Sequence, residues 1–119
     1  MRKKRVLCVC MGGDVRSGTL ARILKHEFNM DALAVGVGYA TAETFHMLAE
    51  WADHIVIPAD KPVWDSDMIR PWERKVIWWD IGPDVWHQPL HPELLGILSE
   101  LAHKWLGIKR PWPEREKKP

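Results

Sequence analysis

The sequence predicts an α/β fold, a three-layer sandwich with a central four-stranded parallel sheet. Short apolar segments rich in β-branched residues alternate with segments whose apolar residues recur at helical spacing. Such alternation is typical of parallel strands joined by crossover helices that cover both faces of a sheet. The 119 residues, of which 46% are hydrophobic and 28% charged, suit one compact domain. We therefore expect one domain over residues 1–110 and a flexible charged tail over residues 111–119.

Each predicted element depends on one local feature. Continuous apolar runs predict strands, and apolar positions three or four residues apart predict helices. Pro58 ends the third strand, and Pro92 suits the first turn of the last helix. Residues 61–72 are compatible with either a short helix or an irregular crossover. In chain order, the other elements are a strand over residues 6–9, a helix over 17–28, a strand over 32–38, a helix over 42–52, a strand over 54–58, a strand over 75–81 and a helix over 92–105.

Charge and cysteine content narrow the expected partners and compartment. A net charge of +1 creates no overall field that selects nucleic acid or an acidic membrane surface. The sequence contains no secretory h-region and no apolar stretch near the roughly 20 residues that cross a bilayer. The two cysteines, Cys8 and Cys10, share a face of one predicted strand but diverge too far for a disulfide. We expect free thiols, a cytoplasmic location, and neither nucleic-acid nor membrane partners.

The segment CMGGDVRS directly follows the first predicted strand and precedes the first helix. Gly12 and Gly13 allow the left-handed backbone angles that a tightly curved loop requires. The backbone N–H groups of such a loop can point inward, beside the positive end of the helix dipole. This arrangement would bind an anion and stabilise the thiolate of Cys10. Arg16 adds a planar fork that matches two phosphate oxygens, and Ser17 either hydrogen-bonds the sulfur or caps the helix.

The strand and loop VLCVCMGGDVRS resemble the signature loop of the low-molecular-weight protein tyrosine phosphatases and related arsenate reductases. In that pattern an apolar strand is followed by Cys, five residues, Arg and Ser. The resemblance covers most of residues 5–107 and implies the family's fold over a single phosphatase-like domain. It implies that Cys10 is the nucleophile, Arg16 the phosphate clamp and Ser17 the stabiliser of the thiolate. It also implies a phosphate-binding loop made of Met11, Gly12, Gly13, Asp14, Val15 and Arg16.

A second motif, DIGPDVW, follows the fourth predicted strand. It resembles the late loop of the same family, in which an aspartate lies beside a proline and an aromatic residue. The resemblance implies that Asp84 protonates the leaving oxygen and then accepts a proton from the attacking water. Asp80 is the alternative acid, although it can equally end the strand. Trp64, Trp72 and Trp86 are candidates both for pocket walls and for packing.

The loop departs from the family pattern at four positions. Gly13 replaces an asparagine that braces the loop, so we expect a softer loop. Val15 replaces the second cysteine of some members, and Gly18 replaces a proline at the start of the helix. Asp14 brings a carboxylate into the cradle, and we expect its side chain to face outward to water. These departures leave open a catalytically impaired module that binds phosphate or a phosphopeptide.

The expected function is hydrolysis of phosphotyrosine or a small aryl phosphate monoester through a phosphocysteine intermediate. The expected ligands are a phosphorylated protein or small phosphomonoester, together with the oxyanions phosphate, sulfate and vanadate. Arsenate reduction is less favoured, because the chain offers only Cys8 as a further thiol for its disulfide relay. His87 and His91 have a spacing that binds zinc on a helix, but Pro89 and Pro92 favour a loop here. We expect no metal and no cofactor.

Overall fold

The computed structural model describes residues 2–106, so the predicted tail over residues 111–119 lies outside the described residues. One sheet contains four parallel strands: Arg5–Cys10 (β1), Asp31–Gly36 (β2), His54–Pro58 (β3) and Val76–Trp79 (β4). The helices are Arg16–Phe28 (α1), Ala42–Trp51 (α2), Lys61–Trp64 (α3) and Pro92–Leu106 (α4), and Arg70–Lys75 is a 3-10 helix. The α/β class and the four-stranded parallel sheet are confirmed.

The strand order is β2-β1-β3-β4, which makes β1 a central strand. On one side β1 pairs with β2 from Arg5↔Asp31 to Cys10↔Gly36, and on the other side it pairs with β3. The order of the strands therefore reverses between β1 and β3. In open parallel sheets, ligands bind in the crevice at such a reversal, at the carboxyl ends of the strands.

Two apolar layers cover the sheet, one on each face. β1, β3 and β4 are buried over most of their length, as continuous apolar runs predict, whereas β2 at the edge of the sheet has three buried residues of six. The layer on one face includes side chains from α2, α3 and the segment after α3: Phe45, Ala49, Val63, Trp64 and Ile69. The layer on the other face includes side chains from α1 and α4: Leu20, Ile23, Leu24, Leu94, Leu98 and Ala102.

The strand ends differ from the prediction where the chain turns. β2 ends at Gly36, because the N–H groups of Tyr39 and Ala40 both donate to the Gly36 carbonyl. β4 ends at Trp79, and the turn that follows is closed by a hydrogen bond from Gly82 N–H to Asp80 Oδ1 at 2.9 Å. Within residues 2–106, no helix combines the length and apolar character needed to span a membrane.

Candidate active site

The loop between β1 and α1 is held in place by the backbone that follows β2. The N–H of Val37 donates to the Cys10 carbonyl at 3.0 Å, and the N–H of Gly38 donates to the Met11 carbonyl at 2.9 Å. These two hydrogen bonds extend the β1–β2 pairing into the loop. The loop therefore has a backbone brace at Cys10 and Met11.

The loop and β2 approach so closely that two glycines are required. A Cβ atom on Gly13 would lie 2.4 Å from the Gly36 backbone nitrogen, and one on Gly36 would lie 2.3 Å from the Gly12 carbonyl carbon. Gly13 also has a φ of +74°, in the left-handed region that favours glycine. Gly36, which interrupts the predicted strand, is thus part of the support for the loop.

The Cys10 sulfur lies within reach of three hydrogen-bond donors. The N–H of Gly13 donates to Cys10 Sγ at 3.3 Å and the N–H of Ser17 at 3.5 Å, while the Ser17 hydroxyl oxygen lies 3.1 Å from the sulfur. All three donors would stabilise a thiolate. Val15, not Ser17, occupies the N-cap position of α1, so the capping alternative for Ser17 is wrong.

Arg16 connects the loops that follow three different strands. Its guanidinium is nearly buried and donates through Nη1 to the Gly82 carbonyl at 2.8 Å and to Asp60 Oδ1 at 3.2 Å. Its Nε atom is also buried and donates to no described residue. A buried donor without a partner is costly, so this guanidinium retains hydrogen-bonding capacity for a ligand.

Cys10 and Arg16 line one pocket of about 340 Å³. The backbone N–H groups of residues 11, 12, 14, 15 and 16 donate no hydrogen bond to any described residue. These N–H groups lie in the loop and at the start of α1, where the helix dipole adds partial positive charge. The other residues that line the pocket are Met11, Gly12, Asp14, Val15, Tyr39, Asp60 and Asp84.

The two aspartates of the DIGPDVW segment lie in different pockets. Asp84 lines the pocket of Cys10 and Arg16, whereas Asp80 lines a separate one against α4. Asp84 Oδ1 accepts hydrogen bonds from the N–H groups of Trp86 and His87, both at 3.2 Å. Asp84 Oδ2 accepts none from the described residues. One carboxylate oxygen of Asp84 therefore orders its loop, and the other remains available for proton transfer.

Two residues of the pocket were not predicted from the sequence. Asp60 directly follows β3, and its carboxylate pairs with Arg16 instead of capping α3. Tyr39 follows β2 and has 84% of its surface exposed. Both come after strands at the carboxyl edge of the sheet, and that position was the available signal.

Asp14 is exposed, as predicted, and it also lines the pocket. Its Oδ1 lies 3.8 Å from the position that a Cβ on Gly18 would occupy, so the carboxylate lies beside the first turn of α1. Neither Asp14 nor Asp84 forms an ion pair with another described residue. Negative charge therefore borders the opening of a pocket that has donors inside.

The second thiol is separated from the first. Cys8 is fully buried among the residues that face α1 and α4, while Cys10 packs with the layer on the opposite face. Cys10 Sγ also contacts Ser17 at the start of α1, and neither thiol forms a disulfide. Burial raises the pKa of the Cys8 thiol well above its usual range.

The histidines and tryptophans singled out in the sequence lie outside this pocket. His91 Nδ1 accepts the Glu93 N–H at the start of α4, and residues 2–106 contain no group of three potential metal ligands. Trp64 stacks on Trp78, and Trp72 donates to His46. Trp86 is buried against α4 and donates to Glu93. No tryptophan lines the pocket among the described residues, and its exposed apolar wall consists of Met11 and Tyr39.

Comparisons with known proteins return no relative. No protein-family model, no curated protein and no solved structure matches this chain.

Proposed function

We propose that this protein is a cysteine-dependent phosphatase of the low-molecular-weight protein tyrosine phosphatase type. Its substrate is phosphotyrosine or a small aryl phosphate, in a phosphorylated protein or a small molecule. The observation that carries the proposal is the environment of Cys10 Sγ: three donors surround it in a pocket shared with the buried Arg16. A thiolate stabilised by such donors is an effective nucleophile.

The unpaired N–H groups of the loop support the binding of a phosphoryl group. A transferring phosphoryl group spreads negative charge over its equatorial oxygens, and fixed donors stabilise that charge. The loop supplies the N–H groups of residues 11, 12, 14, 15 and 16, and Arg16 supplies Nε. These donors are already oriented by the brace from β2, so little rearrangement accompanies binding.

The reaction proceeds in two steps through the sulfur. Cys10 Sγ attacks phosphorus, the S–P bond forms, the ester P–O bond breaks, and the leaving oxygen takes a proton from Asp84. A water molecule then attacks the phosphocysteine and gives a proton to Asp84 while the S–P bond breaks. The products are the alcohol, inorganic phosphate and the regenerated thiolate. Ser17 donates to the thiolate each time it is the leaving group.

The position of Cys8 favours phosphatase chemistry over arsenate reduction. A thiol relay needs a second sulfur that can reach the first one and exchange with it. Cys8 is fully buried in the layer that includes α1 and α4, and burial raises the pKa of its thiol. The chain contains no other cysteine.

A binding module without turnover is the second candidate, and one specific observation favours it. Three carboxylates, those of Asp14, Asp60 and Asp84, line the pocket beside the single guanidinium of Arg16. Their charge opposes a phosphate dianion. Such a module would bind inorganic phosphate, sulfate or vanadate but release no alcohol from an aryl phosphate.

Hydrolysis of para-nitrophenyl phosphate across pH, with a Cys10→Ser control, tests the proposal. We expect turnover with an initial burst, inhibition by vanadate, and loss of turnover in Cys10→Ser. The serine variant keeps its affinity for phosphate, because the loop donors remain. Phosphate binding by the wild type without Cys10-dependent turnover would establish the binding module instead.

The role of Asp84 is tested by matched variants and by leaving groups of different basicity. Asp84→Asn keeps an acceptor for the N–H groups of Trp86 and His87 but cannot donate an acidic proton. We expect it to slow phenyl phosphate about 10²-fold or more and para-nitrophenyl phosphate much less, because only the poor leaving group needs the proton. Asp80→Asn makes the same change in the same segment and should leave both rates near wild type. Equal rates on phenyl phosphate for wild type and Asp84→Asn would exclude Asp84 as the acid.

A further inference from the structure

The charges around the pocket are unusual for a site that binds a dianion. The donors are the loop N–H groups and the guanidinium of Arg16, which is 3% exposed and has an unpartnered Nε. The carboxylates of Asp14, Asp60 and Asp84 outnumber this one cation. Asp60 is paired with Arg16, so Asp14 and Asp84 are the carboxylates that have no counter-ion among the described residues.

The role of Asp84 explains only one of these two carboxylates. General acid catalysis needs a carboxyl group near the leaving oxygen, and Asp84 can provide it. Asp14 performs no step of the reaction, yet it is an exposed anion at the entrance to a site for anions. A substrate that carries only negative charge meets unfavourable electrostatics there, whereas a substrate with a nearby positive charge does not.

The exposed apolar wall of the pocket, formed by Met11 and Tyr39, also favours a positively charged substrate. Tyr39 is 84% exposed and Met11 is 44% exposed, and both line the pocket that Asp14 lines. An aromatic face attracts an ammonium or guanidinium group, particularly when a carboxylate lies nearby. An exposed tyrosine and an aspartate without an ion pair that line the same pocket therefore form a suitable surface for an organic cation.

We propose that the preferred substrates are phosphomonoesters whose organic part carries a positive charge, an ammonium or guanidinium group close to the phosphorylated oxygen. The phosphoryl group binds to the loop and Arg16, while the cation lies between the Asp14 carboxylate and the Tyr39 ring. This inference rests on the proposed phosphatase function and adds the charge of the substrate. Asp14 is the residue that determines this specificity.

Three aryl phosphates of similar size test the inference: 4-(aminomethyl)phenyl phosphate, 4-methylphenyl phosphate and 4-(carboxymethyl)phenyl phosphate. We expect the kcat/KM of the wild type to be at least tenfold higher for the cationic probe than for the anionic one. The difference should lie mainly in KM and should shrink as salt is added, because the Asp14 carboxylate is exposed. Phosphotyrosine peptides flanked by lysine or by glutamate then show whether the cation can also come from a peptide.

Asp14→Asn is the decisive variant, and Asp31→Asn is its matched control. Asp31 is an exposed carboxylate at the opposite end of β2, five residues from Gly36 and hence about 17 Å along the strand. That separation exceeds the Debye length of about 8 Å at physiological salt. We expect Asp14→Asn to bring the cationic-to-anionic ratio within about threefold of unity and Asp31→Asn to keep it.

The outcomes separate this inference from the proposed function. Turnover of all three probes at similar kcat/KM, or a preference that survives Asp14→Asn, would overturn the inference and leave the phosphatase intact. If no probe is hydrolysed, the proposed function fails, and titration calorimetry of the same probes with the Cys10→Ser variant then decides the inference separately. Tighter binding of the cationic probe would support the charge preference, and equal binding would overturn it.

Discussion

The close approach between the loop that joins β1 to α1 and the end of β2 makes a quantitative prediction for four glycine-to-alanine substitutions. Gly13 combines a positive φ with a steric conflict, because its Cβ would lie 2.4 Å from the Gly36 nitrogen. Gly36 has the conflict without the positive φ, and Gly82 has a φ of +83° with no atom within 4 Å of a Cβ. Gly96, in α4, has neither. The four positions therefore separate backbone strain from steric conflict.

The expected changes in the free energy of unfolding follow from these two causes. Gly96→Ala should stabilise the protein by about 0.5–1 kcal/mol, because alanine is the better helix former. Gly82→Ala should destabilise it by about 1–2 kcal/mol through the left-handed φ alone. Gly36→Ala should cost about 1–3 kcal/mol or more, since the conflicting atoms are backbone atoms that cannot rotate away. Gly13→Ala carries both penalties, about 2–5 kcal/mol.

Urea unfolding followed by tryptophan fluorescence measures these differences. With an m-value of about 2 kcal/mol/M, a change of 1 kcal/mol moves the unfolding midpoint by about 0.5 M. The expected order of stability is Gly96→Ala, wild type, Gly82→Ala, Gly36→Ala and Gly13→Ala. A midpoint for Gly36→Ala equal to that of wild type would refute the close approach, and with it the backbone brace of the loop. Because Gly13 and Gly36 are in contact, their double variant should be less destabilised than the sum.

Three further predictions follow from the structure: two concern the pH dependence of stability, and one concerns the hydrogen bond from the Leu90 N–H to Thr19. Burial, followed by the charge of Lys4, lowers the pKa of His54 from 6.5 to about 4. Between these two pH values His54 is protonated in the unfolded chain but neutral in the folded protein. Stability should therefore fall as pH drops from 6.5 to 4, and His54→Gln should flatten that slope; an unchanged slope would contradict it. The Arg2 side chain holds the pKa of Asp53 below its usual range, so the stability that Asp53 contributes is present above about pH 4 and lost below it. Asp53→Asn should make the free energy of unfolding fall less steeply below about pH 4. The same pH dependence as wild type would show that Asp53 contributes no stability. Thr19→Val removes the acceptor for the Leu90 N–H and should lower the free energy of unfolding by about 1–2 kcal/mol, measured by urea unfolding. An unfolding midpoint equal to that of wild type would show that this hydrogen bond does not stabilise the fold.

The fold was largely predictable because its signals are local. Continuous apolar runs and helical spacing each depend on neighbouring residues, and they located all four strands and the three longer helices. The errors lie at ends and turns. Gly36 and Gly38 lie in the predicted second strand, yet the chain turns at Gly36, because its carbonyl accepts two N–H groups from the residues that follow.

The candidate site was predictable where its residues belong to one of two local motifs, the loop from Cys10 to Ser17 and the DIGPDVW segment that carries Asp84. The loop from Cys10 to Ser17 forms a unit in the sequence, so its geometry could be anticipated from glycines, a helix start and an arginine. Asp60 and Tyr39 enter the pocket from the loops after β3 and β2, and no local pattern distinguishes them from surface residues. Their placement depends on the strand order, in which β1 lies between β2 and β3.

The separation of the two cysteines has a consequence for oxidative damage. A peroxide that converts Cys10 to a sulfenic acid leaves it without an accessible intramolecular thiol to condense with, because Cys8 is fully buried and the chain has no other cysteine. Protection then depends on an external thiol such as glutathione, which must arrive before a second equivalent of peroxide forms the irreversible sulfinic acid. We expect brief peroxide exposure to be reversed by dithiothreitol and prolonged exposure to be permanent, with a mass gain of two oxygen atoms on Cys10. The fraction of protein that is irreversibly oxidised would thus increase with the duration of peroxide exposure.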